Sequence, residues 1–106
     1  MATDITEGAG NVFADLGLPD AADRQTKTRL AMAVNALLKE RRLKQTEAAT
    51  VLRIPQPKVS ALANYRLDQF SVEKLISFLN ALDQDVEIVI RPSRDPVGHT
   101  SVYALT

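Results

Sequence analysis

The spacing of apolar side chains changes once along this chain. Between residues 20 and 82 they recur every three or four positions, as in amphipathic helices; over 85–91 they alternate with polar residues, as in a strand. Over 20–42, Leu30, Val34, Leu37, Leu38 and the stem of Arg41 share one face, so a long helix is expected. Ala31, Ala33 and Ala36 let a neighbouring helix approach closely. Asp20 and Asp23 suit the N-terminal end of this helix, and Lys39, Arg41 and Arg42 suit the negative end of its dipole. Two short helices follow, at about 45–52 and 56–64. Ala48, Ala49, Val51 and Leu52 pack the first, Ile54 plugs the turn, and Val59 and Leu62 face inward from the second. Pro57 fits the first turn of that helix, where its missing N–H costs nothing. Gln56, Lys58, Ser60, Ala61, Asn64 and Tyr65 are left outward. A fourth helix opens at Ser71 as N-cap, with Phe70 and Leu75 as a hydrophobic staple. Leu75, Ile76, Leu79 and Leu82 form its core stripe, and it ends near Asp83.

The strand expected at 85–91 points Val86, Ile88 and Ile90 to one side and Glu87, Val89 and Arg91 to the other. A lone strand cannot satisfy its backbone groups. The same strand in a second copy is the most economical partner, which makes Val86, Ile88 and Ile90 candidate dimerisation residues. Pairing with the weak strand-like run at 100–105 is the alternative, and 92–106 otherwise reads as a flexible tail. At the other end, 1–19 reads as an extension. Its first eleven residues are polar, and Val12, Phe13, Leu16 and Leu18 then form an apolar patch ended by Gly17 and Pro19. A helix at 11–16 with Asn11 as N-cap is expected there, docked on the domain or on a partner.

Two short helices joined by a turn of about four residues form a helix-turn-helix, whose second helix enters the DNA major groove. Charge supports this reading, although the net charge of the chain is zero. Residues 1–23 carry five acids and no Lys or Arg, and 67–106 carry six acids against three bases. Residues 24–66 carry ten bases and only Glu40 and Glu47 as acids, a balance of +8 over the paired helices. Such a block suits a phosphate backbone, and total neutrality conceals it. Lys39, Arg41 and Arg42 could touch phosphates as well as complete the helix dipole.

Composition narrows the alternatives. The 106 residues leave room for one domain, with 20–91 as its body. The absence of cysteine excludes disulfides, thiolate metal sites and a Cys nucleophile. No apolar run approaches the roughly 18 residues of a membrane span, and no secretory signal opens the chain. A cytoplasmic location without membrane association is therefore expected. The one histidine, His99, lies in the tail, and no phosphate loop, metal motif or paired carboxylates occur. No catalytic residue, metal or cofactor is expected. A purely helical scaffold remains the non-DNA alternative, and it predicts no salt-dependent DNA binding.

The run of Gln45, Glu47, Ala48, Ala49, Leu52, Ile54, Gln56, Pro57, Val59, Ser60 and Leu62, followed by Phe70-Ser71 and a leucine-rich helix, resembles the XRE family. These are λ-repressor/Cro-like helix-turn-helix proteins. With the NVFADLG segment and the DVEIVI strand, the likeness spans about residues 11 to 91. It is closest to small single-domain HigA-type antitoxins of toxin–antitoxin operons. The resemblance implies an all-α, λ-repressor-like domain with one C-terminal strand pairing across a dimer. It also implies an autoregulating repressor that reads an inverted-repeat operator in double-stranded DNA as a homodimer. A basic ribonuclease toxin would be its partner; a stand-alone regulator without a toxin shares the same pattern.

Carried onto matching positions, the resemblance places Gln56, Lys58, Ser60, Ala61 and Asn64 at base edges. Gln can bind adenine N6/N7, Lys can reach guanine O6/N7, and Ala61 can meet only a thymine methyl. Lys44, Gln45, Arg53, Tyr65 and Arg66 are implied phosphate partners, which position without specifying. Four positions depart from the family pattern. Arg53 and Tyr65 stand where relatives carry Gly, with Asn64 expected to take the left-handed role in place of Tyr65. Lys44 and Pro55 stand where relatives carry capping Ser or Thr.

Overall fold

The computed structural model describes residues 19–105, with side chains from residue 22 onward. The short helix expected at 11–16 lies outside the described residues. Four α-helices follow one another: α1 (Pro19–Glu40), α2 (Gln45–Leu52), α3 (Gln56–Ala63) and α4 (Val72–Ala81), with a 3-10 turn at Leu67–Gln69 before α4. α1 is the platform. It packs along α4 and also touches α3 and the 3-10 turn, while α2 and α3 pack on each other.

Leu30, Ala31, Val34 and Leu38 of α1 are buried with Leu75, Phe78 and Leu79 of α4 in one aliphatic core. Leu37 and Ala33 flank that core and Ala36 is exposed, so of the three alanines Ala31 alone is fully buried. Phe70 and Phe78 meet edge to face, with ring centroids 5.7 Å apart. Phe70 and Leu75 are both buried, as the staple requires, and the Ser71 hydroxyl accepts from the Lys74 backbone N–H at 3.0 Å.

The helix ends share one device. Each α-helix closes on a residue in the left-handed region that is not glycine: Arg42 (φ 54), Arg53 (φ 58), Tyr65 (φ 58) and Asp83 (φ 64). In each case the next residue's N–H reaches a carbonyl five positions back: Leu43 to Leu38, Ile54 to Ala49, Arg66 to Ala61 and Gln84 to Leu79. These are the long bonds of the Schellman motif. They end α1 at Glu40, short of the expected Arg42, and place the left-handed residue after α3 at Tyr65. Asn64, expected in that role, has φ −97.

The expected strand is absent. No strand occurs among the described residues, and no backbone–backbone hydrogen bond involves 85–105. A ladder needs two strands, and the single chain supplies no partner. The alternation does not survive as a packed face either. Val86 packs against the core, but Ile88 and Ile90, expected on its side, are 61% and 55% exposed, and Val89 is 76% exposed. The alternative pairing with 100–105 does not form. Val102 instead rests on the core, and its carbonyl accepts from Arg29 Nη1 at 3.3 Å.

Candidate nucleic-acid interface

α2, its turn and α3 form the helix-turn-helix. α2 starts at Gln45 because the Glu47 carboxylate accepts from the Lys44 backbone N–H at 2.8 Å. That is half of a capping box; the Lys44 ammonium has no lone pair with which to supply the other half. Ala48 and Leu52 are buried, and the left-handed Arg53 turns the chain so that Ile54 enters the core. Pro55 precedes α3 without a side-chain cap, and its carbonyl accepts from the N–H groups of Lys58 and Val59 at 2.9 and 3.3 Å. Pro57 sits in the first turn, as expected.

α3 touches both α2 and α1, so its buried arc is broad. Val59, Ala61 and Leu62 are all buried. Ala61 is only 7% exposed and offers its methyl group to the core, which corrects the expectation that it meets a thymine. The outward stripe consists of Gln56, Ser60, Ala63 and Asn64, the i, i+4, i+7, i+8 positions of one helical face. Gln56, Ala63 and Asn64 are exposed and Ser60 is half-buried. Lys58 is exposed but lies well round the helix from that stripe, free only because it is in the first turn. The Asn64 amide nitrogen donates to the Ser60 carbonyl at 2.9 Å. The amide keeps its carbonyl oxygen, an acceptor, and a second N–H without a partner among the described residues.

Lys44, Gln45, Arg53, Tyr65 and Arg66, the proposed phosphate partners, are all exposed. Among the described residues none of these cations forms an ion pair. Arg41 behaves differently. Its Nη2 donates to the Leu82 carbonyl at 2.5 Å and lies 3.4 Å from an Asp83 carboxylate oxygen, tying the end of α1 to the end of α4.

Two structural groups went unread in the sequence. Asn35 on α1 donates from Nδ2 to the Leu62 carbonyl at 3.1 Å, a side-chain bridge from platform to α3. A polar residue between Val34 and Leu38, on the edge of an apolar stripe, was the available signal. Ala63 carried none, since which alanine of α3 faces out depends on what α3 packs against.

A short helix braced on two neighbours, showing a polar stripe beside unpaired cations, defines a helix-turn-helix module, the class that lays its second helix in the major groove. The family described as a helix-turn-helix domain matches residues 12–91, and this chain belongs to it. The chain is also similar to a solved structure described as "Putative XRE Family Transcriptional Regulator". The two share 57% sequence identity and a TM-score of 0.79, over 82% of this chain and 100% of that one. No curated protein matches the chain.

Proposed function

We propose that this chain is a sequence-specific DNA-binding transcriptional regulator that represses its own promoter as a homodimer. The observation that carries this reading is the α3 stripe of Gln56, Ser60 and Asn64, held at fixed orientation by the buried Val59, Ala61 and Leu62 within the +8 segment. Gln56 offers a bidentate amide to adenine, and the Asn64 carbonyl oxygen suits an exocyclic amine. Lys58, exposed in the first turn and well round the helix from the stripe, suits a backbone phosphate better than a base edge. Lys44, Gln45, Arg53, Tyr65 and Arg66 hold phosphates. A footprint on the promoter of its own gene at two salt concentrations tests the reading. Protection of an inverted repeat that weakens steeply with salt supports it; uniform or absent protection refutes it.

The homodimer reading rests on 85–91, which combines unpaired backbone with exposed Ile88, Val89 and Ile90. The finer assignment is an antitoxin whose acidic N-terminal segment binds a basic ribonuclease toxin. The charge asymmetry of the chain supports it, and co-purification with the product of the adjacent gene decides it. A stand-alone regulator without a toxin partner is the alternative, and the absence of any co-purifying protein would select it.

A further inference from the structure

α3 carries the outward stripe, and it meets the rest of the molecule through short apolar side chains. Val59, Ala61 and Leu62 face inward, and Ala48 of α2 is buried with them. Such contacts are non-directional, and small side chains offer little interlock against rotation of a helix about its axis. One directional contact ties α3 to a neighbour. Asn35 of α1 donates from Nδ2 to the Leu62 carbonyl at 3.1 Å. Among the described residues no other side-chain hydrogen bond or ion pair joins α3 to another helix. We propose that Asn35 is a positioning residue for sequence reading: it sets the rotation of α3, and with it the register of Gln56, Ser60 and Asn64 against the base edges. The proposal rests on the DNA-binding reading above and assigns part of its specificity to a residue outside the stripe.

Both partners of this bond are unusual for their places. Asn35 is the one polar residue between Leu30 and Leu38. Asparagine is disfavoured inside a helix because its amide competes for the backbone; here the amide serves a different helix. The acceptor is a carbonyl of the last turn of α3, where helical carbonyls lack their ordinary partners. The Ser60 and Ala61 carbonyls accept from Asn64 and Arg66, within the same turn and cap. The Leu62 carbonyl receives only the Tyr65 N–H locally, at 3.1 Å, and takes its second bond from Asn35. Arg41, further along α1, acts likewise on the Leu82 carbonyl beyond α4. α1 thus fixes two helices by donating to carbonyls at their ends, and Asn35 is the donor that acts on the reading helix.

The geometry of a helix makes such a bond consequential. A rotation of α3 by about 20° carries a side-chain tip, about 5–6 Å from the axis, through roughly 2 Å. Hydrogen bonds to base edges hold only over about 2.7–3.2 Å, so that rotation breaks them. Lys and Arg on long flexible stems follow a phosphate through the same displacement. Loss of the bridge therefore falls on discrimination more than on general affinity for DNA.

Binding of the full chain to a promoter duplex and to a random duplex, titrated with salt well below the melting temperature, tests the assignment. Asn35→Ala removes the donor and gives α1 a better helix former. It should lower the ratio of promoter to random affinity about tenfold, the size of one weakened base contact. The salt slope should stay unchanged, because no phosphate contact is lost. Asn35→Leu restores bulk without a donor and should show the same fall; it carries the test if Asn35→Ala does not fold. Thr26→Val, which removes a hydrogen bond to the Ala22 carbonyl inside α1, should leave the ratio as in the wild type. A purely structural asparagine would lower the melting temperature and weaken both complexes by one factor. That result, a ratio unchanged in Asn35→Ala, or a ratio restored by Asn35→Leu overturns the positioning role. A wild-type chain that binds the two duplexes alike overturns the sequence-specific reading itself.

Discussion

At the scale of single residues, the informative positions are those where local preference and observed conformation disagree. Arg53 occupies a left-handed position that an L-residue reaches at a cost of roughly 1–2 kcal/mol and glycine reaches freely. Arg53→Gly should therefore stabilise the fold by about 1 kcal/mol, raising the melting temperature by ~4–8 °C. It should also weaken binding to any duplex if the guanidinium meets a phosphate. Thermal melting and a binding titration on the same preparation report both signs. Gln56 is exposed at the start of α3, with no protein hydrogen bond from its side chain among the described residues. Gln56→Ala should cost ~1–3 kcal/mol of operator affinity and relax discrimination at one base pair. An equal loss on operator and random DNA would exclude base reading. Gln56 was visible in the sequence as an outward polar position on a short helix, and Arg53 as an arginine in the turn where relatives carry glycine. Ala61 and Ala63 were not distinguishable there, because a methyl group carries no polarity to mark its side of the helix.

Among the elements, α1 orients the rest. Its Asn35 holds the Leu62 carbonyl of α3, and its Arg41 reaches the end of α4. Arg41 reads as one basic residue among several at a helix end, equally suited to a dipole or a phosphate. Its role as a clamp follows only from the position of α4, forty residues later in the chain. Arg41→Met keeps the apolar stem and removes the donors, leaving the Leu82 carbonyl without this partner. A loss of about 1–3 kcal/mol in denaturant unfolding is expected, with little change in the salt slope of DNA binding. A lowered slope at unchanged stability would return Arg41 to the phosphate partners. The starts of the helices were more legible than their ends. Ser71 caps α4 through chemistry contained within four residues. Nothing local distinguished Asn64 from Tyr65 as the left-handed residue; Tyr65 takes it, and the Arg66 N–H then reaches the Ala61 carbonyl.

For the whole molecule, the open matter is the second copy. The 85–91 segment has β-branched residues in alternation, exposed apolar side chains and no backbone partner among the described residues. Such an edge is a template for pairing. Sedimentation should show a dimer at micromolar concentration, and Ile88→Lys should shift it toward monomer while leaving helical content unchanged. The dimer should read half-sites about one helical turn, ~34 Å, apart or a multiple of that. A wild-type chain that stays monomeric at that concentration would remove the strand-pairing proposal.

The sequence by itself determined the four helices, the turn between α2 and α3 and the concentration of positive charge over them. Each of these follows from interactions within a few residues: periodic burial, a capping hydroxyl, a proline in a first turn. Only the tertiary structure decided that Ala61 is buried and Ala63 exposed, and that Arg41 serves the fold. It also showed that alternation alone does not make a strand at 85–91. Those outcomes depend on which surfaces meet, and a ladder of backbone hydrogen bonds requires a partner that a single chain does not provide.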